Sequence, residues 1–88
     1  MQPLVLTKVK KNQNFKLSEI GQVPQNLKMS QAEFEKRLLE MGLNPGVSIT
    51  LLHEGPFGKD PLAVRVANSF TLALRRMEAS AIYLLPYS

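Results

Sequence analysis

The chain has 88 residues, 44% hydrophobic and 20% charged, which is enough for one modest core and too few for two. It contains no cysteine, so disulfides, thiol catalysis and thiolate metal sites are excluded together. No run approaches the length of a membrane span, and the N-terminus lacks the basic region and long apolar core of a signal peptide. The sequence therefore reads as a single soluble, cytoplasmic domain over residues 1–88.

The net charge of +4 is unevenly placed: Lys8, Lys10, Lys11 and Lys16 cluster near the start, where Glu19 is the only acid before residue 20. Such a cluster fits an anionic partner, namely nucleic acid, a membrane surface or an acidic protein face. It also fits the ordinary solvated side of an amphipathic segment. No aromatic residues interleave it in the way used to stack single-stranded bases.

In chain order, residues 3–6 form a short β-compatible run, and residues 7–14 read as a polar lead and turn. Phe15, Leu17 and Ile20 mark a strand with Lys16 outward, followed by a loop rich in Gly, Pro and Asn. Ser30 with Glu33 three residues later is a capping box, and Met29 with Phe34 has the spacing of a hydrophobic staple. A helix is predicted over residues 31–41, its apolar face carrying Phe34, Leu38 and Met41. Gly42 ends it, and a Schellman stop would fold Leu43 back against Leu38.

Asn44-Pro45-Gly46 is a turn that launches a strand over residues 47–54, with Val47, Ile49 and Leu51 inward. Leu52 breaks the alternation, which calls for a bulge or a strand covered on both sides. Residues 55–61 hold two glycines and two prolines and form a loop. Residues 62–67 and 70–74 alternate as a hairpin that reverses at Asn68-Ser69. Residues 75–80 break the period for about one helical turn. A last strand follows over residues 81–85, then the tail Pro86-Tyr87-Ser88. About five strands, one helix and a short helical turn before the last strand describe a mainly β, small SH3-like antiparallel barrel.

The residues support no catalytic constellation. Gly55-x-x-Gly58-Lys59 fails as a phosphate loop: its glycines are too close, Asp60 replaces the metal-holding Ser/Thr, and a strand follows where a helix is required. His53 is the only histidine, and Glu54 beside it in a strand points to the opposite face, so no metal set forms there. Neither a cofactor nor a small-molecule substrate is expected. Two features call for more than a structural account. Phe57 sits at a loop tip, where it either plugs one end of the barrel or anchors in a partner's pocket. Arg75 and Arg76 follow Leu74 as either surface charge or contact residues.

Three segments together resemble the FeoA family: Arg37-Leu-Leu-Glu-Met-Gly-Leu-Asn-Pro-Gly46, Gly55-Pro-Phe-Gly-Lys-Asp-Pro-Leu-Ala-Val-Arg65 and Leu72-Ala-Leu-Arg-Arg-Met-Glu-Ala-Ser-Ala-Ile82. They match a helix ending in leucine–x–x–Gly–x–x–Pro–Gly, a Pro–x–Gly–Asp–Pro loop, and a leucine–arginine strand entering an alanine-rich turn. Lys59 is an extra residue in that loop, the stretch before the helix is longer than usual, and Asn68 stands where many relatives have glycine.

The resemblance implies an SH3-like barrel and a non-enzymatic accessory role in bacterial ferrous iron uptake. The implied partner is FeoB, a membrane transporter with a cytosolic GTP-binding domain, contacted without stable membrane insertion. Leu43, Pro45, Phe57, Lys59, Arg75 and Arg76 are the expected contact residues, being apolar or basic groups of loops and turns with no local chemistry to serve. Two other readings remain. One is a small basic barrel that binds nucleic acid. The other is a regulatory module like the SH3-like domain of metal-dependent repressors, which would need a second protein because this chain carries no helix-turn-helix segment.

Overall fold

The capping signals hold in atomic detail in the computed structural model, which describes residues 2–87. Ser30 Oγ accepts the Glu33 N–H at 3.1 Å, and the Glu33 carboxylate accepts the Ser30 N–H at 3.2 Å. The Ser30 backbone N–H, and next its hydroxyl, hold the Glu33 carboxyl below its ordinary pKa. This contribution to stability is therefore present above the unfolded-state pKa and lost as pH falls through the folded one. The helix α1 runs Gln31–Glu40 and buries Phe34 and Leu38 completely. At its end the Leu43 N–H donates to Leu38 O at 3.0 Å and the Gly42 N–H to Leu39 O at 2.9 Å, with Gly42 at φ 92°. That pair of bonds is the Schellman stop.

Six antiparallel strands form one sheet: β1 (Leu4–Val5), β2 (Phe15–Ile20), β3 (Ser48–Glu54), β4 (Leu62–Val66), β5 (Phe70–Leu74) and β6 (Ile82–Pro86). Their order is β1-β6-β2-β3-β4-β5. A 3-10 turn at Leu6–Lys8 follows β1, and the one-turn helix α2 (Arg76–Ala79) precedes β6. The predicted β-compatible run at the start becomes the two-residue β1, paired with β6 through Leu4↔Leu84 and Val5↔Tyr83. The last strand extends one residue beyond expectation, to Pro86; Ser88 of the expected tail lies outside the described residues.

One core collects side chains from five strands, the 3-10 turn and both helices, so the sheet coils around it as an SH3-like barrel does. Buried contributors include Leu6, Leu17, Ile49, Val64, Leu74 and Leu84. Both devices suggested by Leu52 are present. The β3–β4 register shifts between Leu51 and His53, and residues 48–51 are buried on both faces. The outer face is covered by the segment before β2, where the Thr50 hydroxyl donates to Asn14 Oδ1 at 3.0 Å and the Asn12 N–H to Leu51 O at 2.8 Å.

The long stretch before α1 is tied down by the Gly21 N–H bond to Ala81 O at 2.7 Å, by Val23, Leu27 and Met29 packed on the core, and by one polar side chain. Gln31 Nε2 donates to Gly21 O at 2.9 Å, and its Oε1 accepts the Val23 N–H at 2.7 Å. The turn into β3 is type II, with Pro45 and Gly46 central and the Val47 N–H bonded to Asn44 O at 3.1 Å.

The β4–β5 hairpin reverses one residue earlier than predicted. Ala67 and Asn68 take φ 56° and 54°, and the Ser69 N–H bonds Val66 O at 3.0 Å, a type I′ turn. Alanine carries no left-handed signature, which is why the sequence pointed to Asn68-Ser69 instead. Strain of about 1 kcal/mol at Ala67, partly offset by the greater unfolded-state freedom of glycine, leads to a definite expectation. Ala67→Gly should raise stability by about 0.5 kcal/mol, read as a higher urea midpoint at unchanged m-value.

Candidate functional site

The loop of residues 55–61 leaves β3 and returns to β4 at the Glu54↔Leu62 pair, its base closed by the Gly55 N–H donating to Pro61 O at 2.8 Å. From it projects Phe57, 83% exposed. Phe57 is therefore not a plug for the barrel. Leu62 and Leu74, the cross-strand pair nearest this loop, are already fully buried, as is Leu6. That end of the core is closed without a ring from the loop.

Arg76 holds the loop in place. Its Nε donates to Lys59 O at 3.4 Å and its Nη1 to Thr7 O at 3.3 Å, while Nη2 makes a close ion pair with Glu54. Its backbone N–H donates to Asp60 Oδ1 at 2.8 Å, so a carboxylate from the loop serves as a cap for α2. One residue thus binds the 3-10 turn, the end of β3 and the loop to the start of α2. The same helix is secured from its other side. Glu78, 5% exposed, accepts the Arg75 N–H at 3.2 Å and lies 3.3 Å from the Arg37 guanidinium of α1.

A shallow concavity of about 340 Å³ lies beside Phe57, lined also by Asp60, Pro61 and Arg75. Arg75 is exposed, and among the described residues no acid lies within ion-pair distance of it. A second concavity, between β2 and α1, is lined by Ile20, Leu39 and Pro45 with Glu19 and Glu35 at its edge.

The six residues singled out in the sequence therefore sort into separate places. Phe57, Lys59 and Arg75 share the loop end of the molecule, all exposed. Pro45 is exposed but belongs to the other concavity. Leu43 is corrected: it is wholly buried, because the Schellman stop turns it inward with Leu38, and it offers no surface to a partner. Arg76 is a structural clamp with a 31% exposed side chain rather than a free contact residue. The sequence reading missed Glu54, Asp60 and Glu78. Only Glu78 left a legible trace, since an acid three residues after a helix start is the second half of a capping box.

Among the described residues there is no group of three or more His, Asp or Glu able to hold a metal ion, and no helix is long and apolar enough to cross a membrane.

The model of the FeoA domain matches residues 4–86. Among solved structures, a FeoA-like protein from Clostridium acetobutylicum superposes with a TM-score of 0.76 at 24% identity, covering 100% of this chain and 91% of that one. FeoA from Stenotrophomonas maltophilia, solved in complex with zinc and described as a prokaryotic SH3 domain protein, gives 0.70 at 25% identity, covering 92% and 88%. A manganese-dependent transcriptional repressor gives 0.75 at 14% identity, covering 97% of this chain and 42% of its own. No curated protein matches the sequence.

Proposed function

Because this chain belongs to the FeoA family, we propose that it is a cytoplasmic accessory protein of ferrous iron uptake that acts by contacting the cytosolic part of a FeoB-type transporter. The family is one of ferrous iron transport, and the S. maltophilia relative is described as a candidate activating factor for it. The observation that carries the reading is Phe57: a large aromatic, 83% exposed, on a loop whose base is fixed by backbone and arginine hydrogen bonds. A presented, preorganised aromatic is the usual anchor of a protein contact, since little entropy is lost when it docks. Lys59 and Arg75 surround it, and Pro45 extends the proposed contact on a separate face. The likeness to the repressor is one of fold and carries no separate function.

Titration calorimetry against the purified cytosolic domain of FeoB, with and without a GTP analogue, tests this reading. Saturable binding is expected. Phe57→Ala should weaken it by about 2 kcal/mol, roughly thirtyfold, while leaving the unfolding midpoint within about 0.5 kcal/mol of wild type. Unchanged affinity in that variant would remove Phe57 from the contact.

A further inference from the structure

The charge on this molecule is segregated. Lys8, Lys10 and Lys11 lie on a segment strung between two fixed points: Thr7, whose carbonyl is held by Arg76, and Asn12, whose N–H is bonded to Leu51 of β3. Arg76 also holds the backbone of Lys59, so the lysine segment and the Phe57 loop are fastened to one side chain. Arg75 is its chain neighbour. Against these five cations the clamp sets Arg76 with two acids, Glu54 and Asp60, so this end carries the formal net charge of +4 in full. In the remainder of the chain five cations offset five acids.

Within this cationic end sits the concavity lined by Phe57, Asp60, Pro61 and Arg75. Asp60 is engaged by the Arg76 N–H, and Arg76 by Glu54, whereas the Arg75 guanidinium has no acid partner among the described residues. An arginine presented beside an aromatic ring and a proline offers a planar double donor next to apolar surface. It matches a carboxylate carried on a protruding side chain. The surrounding lysines attract such a surface from a distance.

We propose that the concavity between Phe57 and Arg75 receives a carboxylate side chain from an acidic surface of the partner, with Phe57 packing on the apolar ground beside it and the lysine segment steering the approach. This deepens the transporter reading and rests on it. A protein surface is favoured over a bilayer or a nucleic acid because the site is concave. A protruding acidic side chain can reach the Arg75 guanidinium while its protein surroundings cover the apolar surface of Phe57 and Pro61, which a phosphate backbone does not cover.

The test is the affinity of the full chain for the cytosolic domain of FeoB at about 50 and about 500 mM salt, for wild type, Arg75→Gln, Arg75→Lys and the triple variant Lys8→Gln, Lys10→Gln, Lys11→Gln. Wild-type affinity should fall tenfold or more across that range. Arg75→Gln should weaken binding about tenfold or more at low salt, and Arg75→Lys should restore only part of it, since an ammonium lacks the paired donor geometry. The triple variant should lower the association rate and flatten the salt dependence, with little change in dissociation. Binding that is insensitive to salt and to Arg75→Gln, yet lost in Phe57→Ala, would overturn the acidic partner and leave the transporter contact standing. Failure of the wild type to bind the domain at low salt would overturn the transporter reading, and the inference with it. So would capture by phosphatidylglycerol vesicles or duplex DNA in place of the domain.

Discussion

Arg76→Ala should destabilise the protein by about 2–3 kcal/mol, the cost of removing a charged donor from several acceptors at a partly buried site. Three acceptors lose a donor at once: Thr7 O, Lys59 O and the Glu54 carboxylate. Glu54 has 22% of its side chain exposed, so water recovers part of the loss and the figure is set below that of a fully buried pair. For a domain of this size the melting temperature should fall by roughly 8–24 °C. Arg76→Lys should recover little. One ammonium cannot reach three acceptors that lie in different directions. The neighbouring Arg75→Ala supplies the control, because Arg75 is exposed and makes no side-chain hydrogen bond among the described residues, and it should change stability by less than about 0.5 kcal/mol. Thermal melts of the three variants decide the matter. Equal midpoints for Arg76→Ala and Arg75→Ala would show that the clamp is not a source of stability. On the proposed function the consequence is specific: Arg76→Ala keeps the backbone bond to Asp60 but releases the lysine segment, the Lys59 carbonyl and the end of β3 from α2, and partner affinity should fall even where the fold survives.

The contrast between these adjacent arginines shows how far the sequence can be read. Features written in local chemistry were legible. The capping box at Ser30, the stop at Gly42, the turn at Pro45 and the double coverage of β3 each follow from a few neighbouring residues, and each is present. The FeoA motifs were equally legible because they are patterns of turn residues and spacing. Relations between distant segments were not. Arg75 and Arg76 are alike as letters, and only tertiary placement gives one an engaged role across 69 positions of sequence and leaves the other presented to solvent. Leu43 shows the complementary error. The Schellman signal that places it against Leu38 itself implies burial, which outweighs the exposure expected of a residue in a turn. The sequence alone leaves Phe57 between plug and contact residue, because its exposure is set by tertiary placement; at 83% exposed it is not a plug.

Gly55→Ala should be the most damaging change available in the Phe57 loop, at about 3 kcal/mol for forcing an atom into a closed backbone contact. A Cβ built on Gly55 would stand 2.5 Å from Asp60 O, 2.8 Å from Asp60 C and 2.9 Å from Pro61 N. All three are backbone atoms, so no side-chain rotation relieves the overlap. Two pieces of structure are fastened at that point: the Gly55 N–H to Pro61 O bond that closes the loop, and Asp60, whose carboxylate caps α2. Moving the loop to admit a methyl group would therefore disturb the α2 start as well as the presentation of Phe57. Gly58 in the same loop provides the comparison. It has φ 66° and nothing within 4 Å of its ideal Cβ, so Gly58→Ala should cost only the left-handed backbone term, about 1 kcal/mol. Urea denaturation separates the two by midpoint, and calorimetry with the FeoB domain then reads the functional effect. On the proposed function, Gly55→Ala should lose partner affinity under conditions where it remains folded, because Phe57 is displaced, whereas Gly58→Ala should retain most of it. Comparable midpoints for the two variants would mean that the loop base yields easily and that Phe57 is not held in a fixed position.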